Sequence, residues 1–183
     1  MDAICDEDLV QRFRETGELR HFDELVGRYV GRVRGMIYPM VLNHADADDL
    51  TQETFVRATR HVTGFGRRSK FSTWLYRIAM NTTKTFLSRK SRGPVEYHAE
   101  PPEPAAVSAP SGGVEQAEND RQVALAMAAL SPSLRSAITL TMLQGQSVRD
   151  AAAIDGCLAA TMCWRVYEAK RQLRKHLGKY LES

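Results

Sequence analysis

No run of apolar residues approaches the ~20 that a membrane-spanning helix needs, so membrane insertion is not expected. Met1 to Leu9 is acidic and lacks the apolar core of a secretory signal, so no signal peptide is expected there. Cysteine is scarce. Cys5, Cys157 and Cys163 form no Cys-x-x-Cys pair and are odd in number. That argues against a disulfide framework or zinc site, and for free thiols in a reducing cytoplasm. His21, His44, His61, His98 and His176 stand apart, with no ligand-like or triad-like grouping. No enzyme activity, metal or cofactor is therefore expected. Strand-like alternation between turn signals is missing from the first half. Charge of one sign is also missing in two places. Arg57 to Arg92 holds ten Lys and Arg residues and no Asp or Glu. Gly93 to Ala117 holds no Lys or Arg at all. The net charge of +3 conceals this segregation.

What is present reads as helices. Asp6–Glu15 is expected as a short helix, with Leu9, Val10 and Phe13 inward and Gly17 ending it. Phe22, Leu25, Val26, Tyr29, Val30, Val33, Met36, Ile37 and Met40 follow helical spacing, and Pro39 should kink or stop that helix. A third helix is announced at Asn43–Asp46 and runs to about Val62, its acidic first turn suiting the helix dipole. A loop, Thr63–Gly66, leads to a fourth helix over Phe71–Arg92. Five of the seven prolines then fall in Gly93–Ala117, with Glu96, Glu100, Glu103 and Glu115. Such a segment buries too little apolar surface to fold, which predicts a flexible linker over residues 93–117. The chain thus divides into a domain over 1–92 and another over 118–183. The second is also helical: Gln116–Leu130, with Val123, Met127 and Leu130 on one face; a helix from Ser131-Pro132 to Gln144-Gly145; a short one capped at Ser147; and a last one from Ala159 to about Leu177. A short helix, a turn at Gly156–Leu158 and a longer basic helix make the helix-turn-helix pattern, which plain bundles also show.

The fourth helix organises the first half. Leu75, Ile78, Ala79, Thr82 and Phe86 share one face, with Ser69 or Ser72 as its cap. Arg77, Asn81, Lys84, Arg89, Lys90 and Arg92 occupy others. Cations neutralise phosphates and aromatic rings stack on unpaired bases, so this stretch suits nucleic acid. It equally suits a solvated basic face over an aromatic core, which is the expected place of Trp74. The carboxylates near Asp48 read as a solvated, well-capped helix or as a docking face for a basic partner. They lack the converging His or Gly-bearing loop of a metal site.

DADDLTQETFVRA (46–58) followed by FSTWLYRIAMNTTKTFLSRKSR (71–92) resembles region 2 of bacterial RNA polymerase sigma factors. LSPSLRSAITLTMLQGQSVRDAAAIDGC (130–157) resembles the start of their region 4. Two domains with a linker and no region 3 are similar to the extracytoplasmic-function group. The resemblance implies an all-α fold: a region 2-like bundle and a region 4-like helix-turn-helix. It implies core RNA polymerase (β′ clamp helices and β flap), promoter DNA and an anti-sigma factor or other regulator as partners. It places Asp48, Asp49, Gln52 and Glu53 against the clamp. Arg67, Arg68, Lys70, Asn81 and Lys84 fall on the −10 element, Asn81 holding a flipped base. Arg149, Thr161, Trp164, Arg165, Lys170 and Arg171 fall on the −35 element. There the chain departs from its family: Cys163, Trp164 and Glu168 stand where Lys or Arg, Ser and Arg are usual. An autonomous helix-turn-helix regulator and a degenerate, sigma-like interaction module are the competing readings.

Overall fold

The computed structural model describes residues 4–67, 69–92 and 114–181, and every regular element among them is helical. The α-helices are α1 Asp6–Thr16, α2 Leu19–Val41, α3 His44–His61, α4 Phe71–Lys90, α5 Val114–Ala128, α6 Pro132–Ile138, α7 Val148–Asp155 and α8 Ala159–Leu181. A 3-10 turn, Val62–Gly64, extends α3, and a π-helical turn, Thr139–Leu143, extends α6. The expected flexible linker lies mostly outside the described residues. Its last four positions do not: α5 begins at Val114, inside the segment expected to be linker.

Local chemistry accounts for the boundaries. Gly17 ends α1 in a left-handed conformation, φ 69°, which lacks a steric penalty only in glycine. Asn43 caps α3 by accepting the Asp46 N–H at 2.9 Å. Ser147 does the same for Asp150 at 3.1 Å and opens α7. Pro39 does not stop α2, which runs two residues further. A proline in the last turn removes one hydrogen bond, and the core packing of α2 outweighs that loss.

The first core gathers around α2. Leu25, Val33, Met36, Ile37 and Met40 are buried with Leu50 and Ala58 of α3 and Leu75, Ala79 and Met80 of α4. Three expected faces are corrected. On α4, Tyr76, Met80 and Thr83 are buried, whereas Ile78 and Phe86 are only half-buried. The reason is that α7 covers a second flank of α4. On α2, Val30 is exposed and Val26 half-buried, because α1 and α3 leave that edge uncovered. On α5, Val123 faces solvent while Ala124, Met127 and, just past the helix, Leu130 are buried, because α8 and α6 cover only the other side.

The two halves are packed together. Ala137, Leu140, Ala151, Ile154 and Met162 of the second half join the first half's core. Polar bonds reinforce this join. Arg77 Nε donates to the Ala153 carbonyl at 3.1 Å. Lys84 Nζ donates to the Asp155 carbonyl at 2.8 Å. Arg135 donates to the Met40 carbonyl at 2.8 Å. The same Arg135 guanidinium reaches Ala128 O (2.9 Å) and Leu130 O (3.1 Å), and burial pushes its pKa down. It thus sits at the C-terminal ends of α2 and α5, where the helix dipoles are negative.

Candidate polymerase and nucleic-acid interfaces

Asp48, Asp49, Gln52 and Glu53 are all exposed, along one side of α3. Asp48 is bonded to Arg34 Nε at 2.5 Å, and that guanidinium holds its carboxyl below the usual range. Glu53 pairs with Arg57 one turn on, at 2.5 Å. Beside this acidic stripe runs a trough between α2 and α3, about 420 Å³, whose floor includes Val26, Val30, Phe55 and Val56. Val30 and Val56 are more than two-fifths exposed. Sequence reasoning missed the trough. Its signal was an apolar α2 stripe wider than one neighbouring helix can cover. The site is therefore apolar in the middle and acidic at the rim.

The loop before α4 is braced by α1. Glu7 accepts the Phe71 N–H at 3.2 Å, so a carboxylate from a distant helix caps α4 in place of Ser69 or Ser72. Arg67, in a left-handed conformation (φ 53°), donates to the Glu7 carbonyl at 2.8 Å and lies 3.6 Å from Asp8. Arg14 reaches the Phe65 carbonyl at 3.4 Å. Asp6 is bonded to Arg28 at 2.7 Å and to the Tyr29 hydroxyl. Burial, then that carboxylate, raises the Tyr29 phenol far above its usual pKa. Inside the loop, Phe65, Phe71 and Trp74 make a ring cluster with centroids 5.5–5.9 Å apart. Trp74 is thus packed as expected and is no free stacking platform.

Lys70 and Asn81 are exposed, at the start and on the outer face of α4. Arg68 lies outside the described residues. Lys84 does not stand with them: its Nζ is 2.7 Å from Asp155 Oδ1. Asp155 was missed by sequence reasoning. It is nearly buried, takes Arg165 on its other oxygen at 2.7 Å, and bonds the Ser136 hydroxyl. Its signal was a carboxylate among the apolar positions of a short helix.

In the helix-turn-helix, α7 and α8 meet at Gly156, φ 74°. Arg149, Trp164 and Lys170 are exposed and Thr161 is half-buried. Arg165 turns inward to Asp155. Arg171 is exposed but holds Glu168 through two bonds of 2.8 Å. The Glu168 carboxyl, which stands where the family usually has Arg, is pulled down to a pKa of about 2 by Arg171 and then Gln172. The helix-turn-helix is built, but of its three predicted guanidinium readers Arg165 and Arg171 are engaged by carboxylates, and Arg149 is exposed.

Residues 25–93 match the family model for sigma-70 region 2. The chain is 33% identical to the ECF RNA polymerase sigma-E factor of Haemophilus influenzae, over 96% of this chain and 97% of that one. It is 32% identical to the RNA polymerase sigma-H factor of Pseudomonas aeruginosa, over 97% and 96%. Among solved structures, the sigma factor RpoE of Bartonella quintana, in complex with the anti-sigma factor NepR, superposes with a TM-score of 0.71. It is 26% identical, over 86% of this chain and 96% of that one. CnrH, solved with the cytosolic domain of CnrY, shares the fold at a TM-score of 0.71 and 24% identity, over 95% and 97%. The likeness runs through both halves and the helix-turn-helix, and the chain belongs to the extracytoplasmic-function group of RNA polymerase sigma factors.

Proposed function

We propose that the first half divides a sigma factor's work between two surfaces. The α3 stripe and the adjoining trough take core polymerase. The braced loop and the outer face of α4 take the −10 element. As a sigma factor, the protein brings core polymerase to promoters and supports DNA melting and initiation. The observation that supports the division is segregation. Asp48, Asp49, Gln52 and Glu53 are exposed beside exposed Val30 and Val56, while Lys70 and Asn81 are exposed on the basic stretch. An acidic rim steers a basic coiled coil to the site, and an apolar trough holds it.

Asn81 offers a donor and an acceptor to an extruded base, which no cation can do. Melting needs no covalent step. Contacts to unpaired bases offset an unstacking cost of a few kcal/mol each. In the second half, the exposed Met142 and Leu143 at the π-helical turn supply an apolar surface for the β flap. The Bartonella quintana relative is solved with an anti-sigma factor, and a regulator of that class is proposed for this chain.

The test uses Asp49→Lys with Glu53→Lys. Both side chains are exposed, and the fold loses only the Glu53–Arg57 pair, worth about 0.5 kcal/mol. Affinity for core polymerase should fall on the order of tenfold at low salt, mostly through association rate. Unchanged affinity in a titration would remove the α3 face from the assignment.

A further inference from the structure

The α8 helix presents a reading face with almost no charge. Base edges are met by the N-terminal residues of a recognition helix, and its later turns follow the backbone. In the N-terminal half of α8 the exposed positions Ala160, Cys163, Trp164 and Tyr167 fall three and four apart, on one face. Trp164 is 60% and Tyr167 69% exposed. Leu158, just before the helix, is 76% exposed. Between Ala159 and Ala169 the sole cation is Arg165, and its guanidinium is held by nearly buried Asp155 at 2.7 Å. The next arginine, Arg171, is closed on Glu168 by two 2.8 Å bonds. Both ion pairs lie within α7 and α8, so they persist whether or not the two halves of the protein part. A guanidinium fork is the usual reader of guanine O6 and N7. The first two forks of this helix are closed to that contact, and the third, Arg174, lies on the later turns that follow the backbone.

Major-groove chemistry leaves one feature that an apolar face reads well. Thymine alone carries a methyl group there, and apolar side chains discriminate it by contact. The cations needed for the backbone are still present, in the right half of the helix. Lys170, Arg174 and Lys175 are exposed on the later turns. From this distribution we infer that Trp164 and Tyr167, with Ala160 beside them, make α8 a thymine-methyl reader. The upstream promoter element should then be selected for thymines and not for guanine. The inference rests on the sigma-factor reading above.

The experiment uses the full-length protein with core polymerase. The probe is a promoter library carrying a fixed downstream element and a randomised upstream one, read by open-complex formation. Selected promoters should be enriched in thymine at two or more neighbouring upstream positions. Deoxyuridine in place of a selected thymine removes only the methyl group. It should weaken open-complex formation about fourfold, the worth of one buried methyl-sized group. Trp164→Ser should erase that penalty and flatten the upstream preference. Because the deoxyuridine arm uses the unaltered protein, a folding defect in the variant cannot decide the result. Guanine enrichment, no upstream enrichment (as a protein-docking face would give), or indifference to deoxyuridine would each overturn the inference. Failure to initiate on any library member would instead overturn the sigma-factor reading on which it stands.

Discussion

Glu168 shows how one residue's partners reverse its expected role. In sequence it is an anion on a DNA-facing helix. In the folded chain Arg171 and Gln172 bond its carboxylate, and its pKa falls from 4.5 to about 2. A carboxyl whose folded pKa is depressed stabilises the fold above its unfolded pKa. That contribution is present above about pH 4.5 and is lost as pH falls toward 2. A carboxyl titration followed by NMR should place the Glu168 midpoint near 2, and Arg171→Gln should return it toward 4.5. An unmoved midpoint would refute the pairing. Glu168→Gln is equally diagnostic. It frees the Arg171 fork, so duplex binding should strengthen, with a steeper salt dependence and a new tolerance for guanine upstream. Asn81→Ala acts at the other reading surface. It should relax base choice at one −10 position, costing about 1–3 kcal/mol there, whereas Lys70→Ala should weaken all sequences alike.

At the scale of elements, α1 is the brace of the −10 loop. Its acidic first turn would ordinarily be read as compensation for its own dipole. Asp6 and Glu7 are instead spent on Arg28, Tyr29 and the first N–H of α4. Glu7→Ala should therefore lower stability by about 1 kcal/mol, as loss of a helix cap does. Amide exchange should rise over Phe65–Trp74, and the rest of the bundle should be spared. Uniform exchange across that loop in both proteins would contradict the brace. This contact also marks what the sequence could convey. Gly17, Asn43, Ser147 and Gly156 act on their own neighbours, and the helices they bound are where their chemistry places them. Glu7 acts 64 residues away, and no local pattern signals that. Periodicity likewise marks Val30 as apolar without telling a core from a trough. The acidic stripe of α3 was legible because four polar residues follow one face. The occupied state of Lys84 and Arg165 was not, because Asp155 is brought to both by tertiary packing, whereas the Glu168–Arg171 spacing of three residues was a local signal left unread.

The whole molecule poses a conflict of partners. Lys84 is expected on DNA phosphates, yet its ammonium is 2.7 Å from a nearly buried Asp155 in the other half. Two of the ammonium's three donors are committed to Asp155, so a phosphate at Lys84 competes with that anion, and parting α4 from α7 would free the full contact. Three polar tethers resist that, through Arg77, Lys84 and Arg135, together with the shared apolar core. Removing Asp155 would leave Lys84 and Arg165 without their counter-charge and cost about 3–5 kcal/mol, too blunt a test of opening. Lys84→Gln is finer, because Arg165 and Ser136 remain on Asp155. It should raise the radius of gyration in solution scattering and speed amide exchange along α7 and the facing turns of α4. The melting of each half should change little. Raising salt should move the unaltered protein part of the way in the same direction, since Lys84 is more than one-third exposed and is screened. If scattering and exchange at the α4–α7 contact are unchanged by Lys84→Gln, the apolar core with the Arg77 and Arg135 tethers holds the halves together. Lys84 would then be a passenger at the seam, and the −10 phosphates would fall to Lys70 and its neighbours.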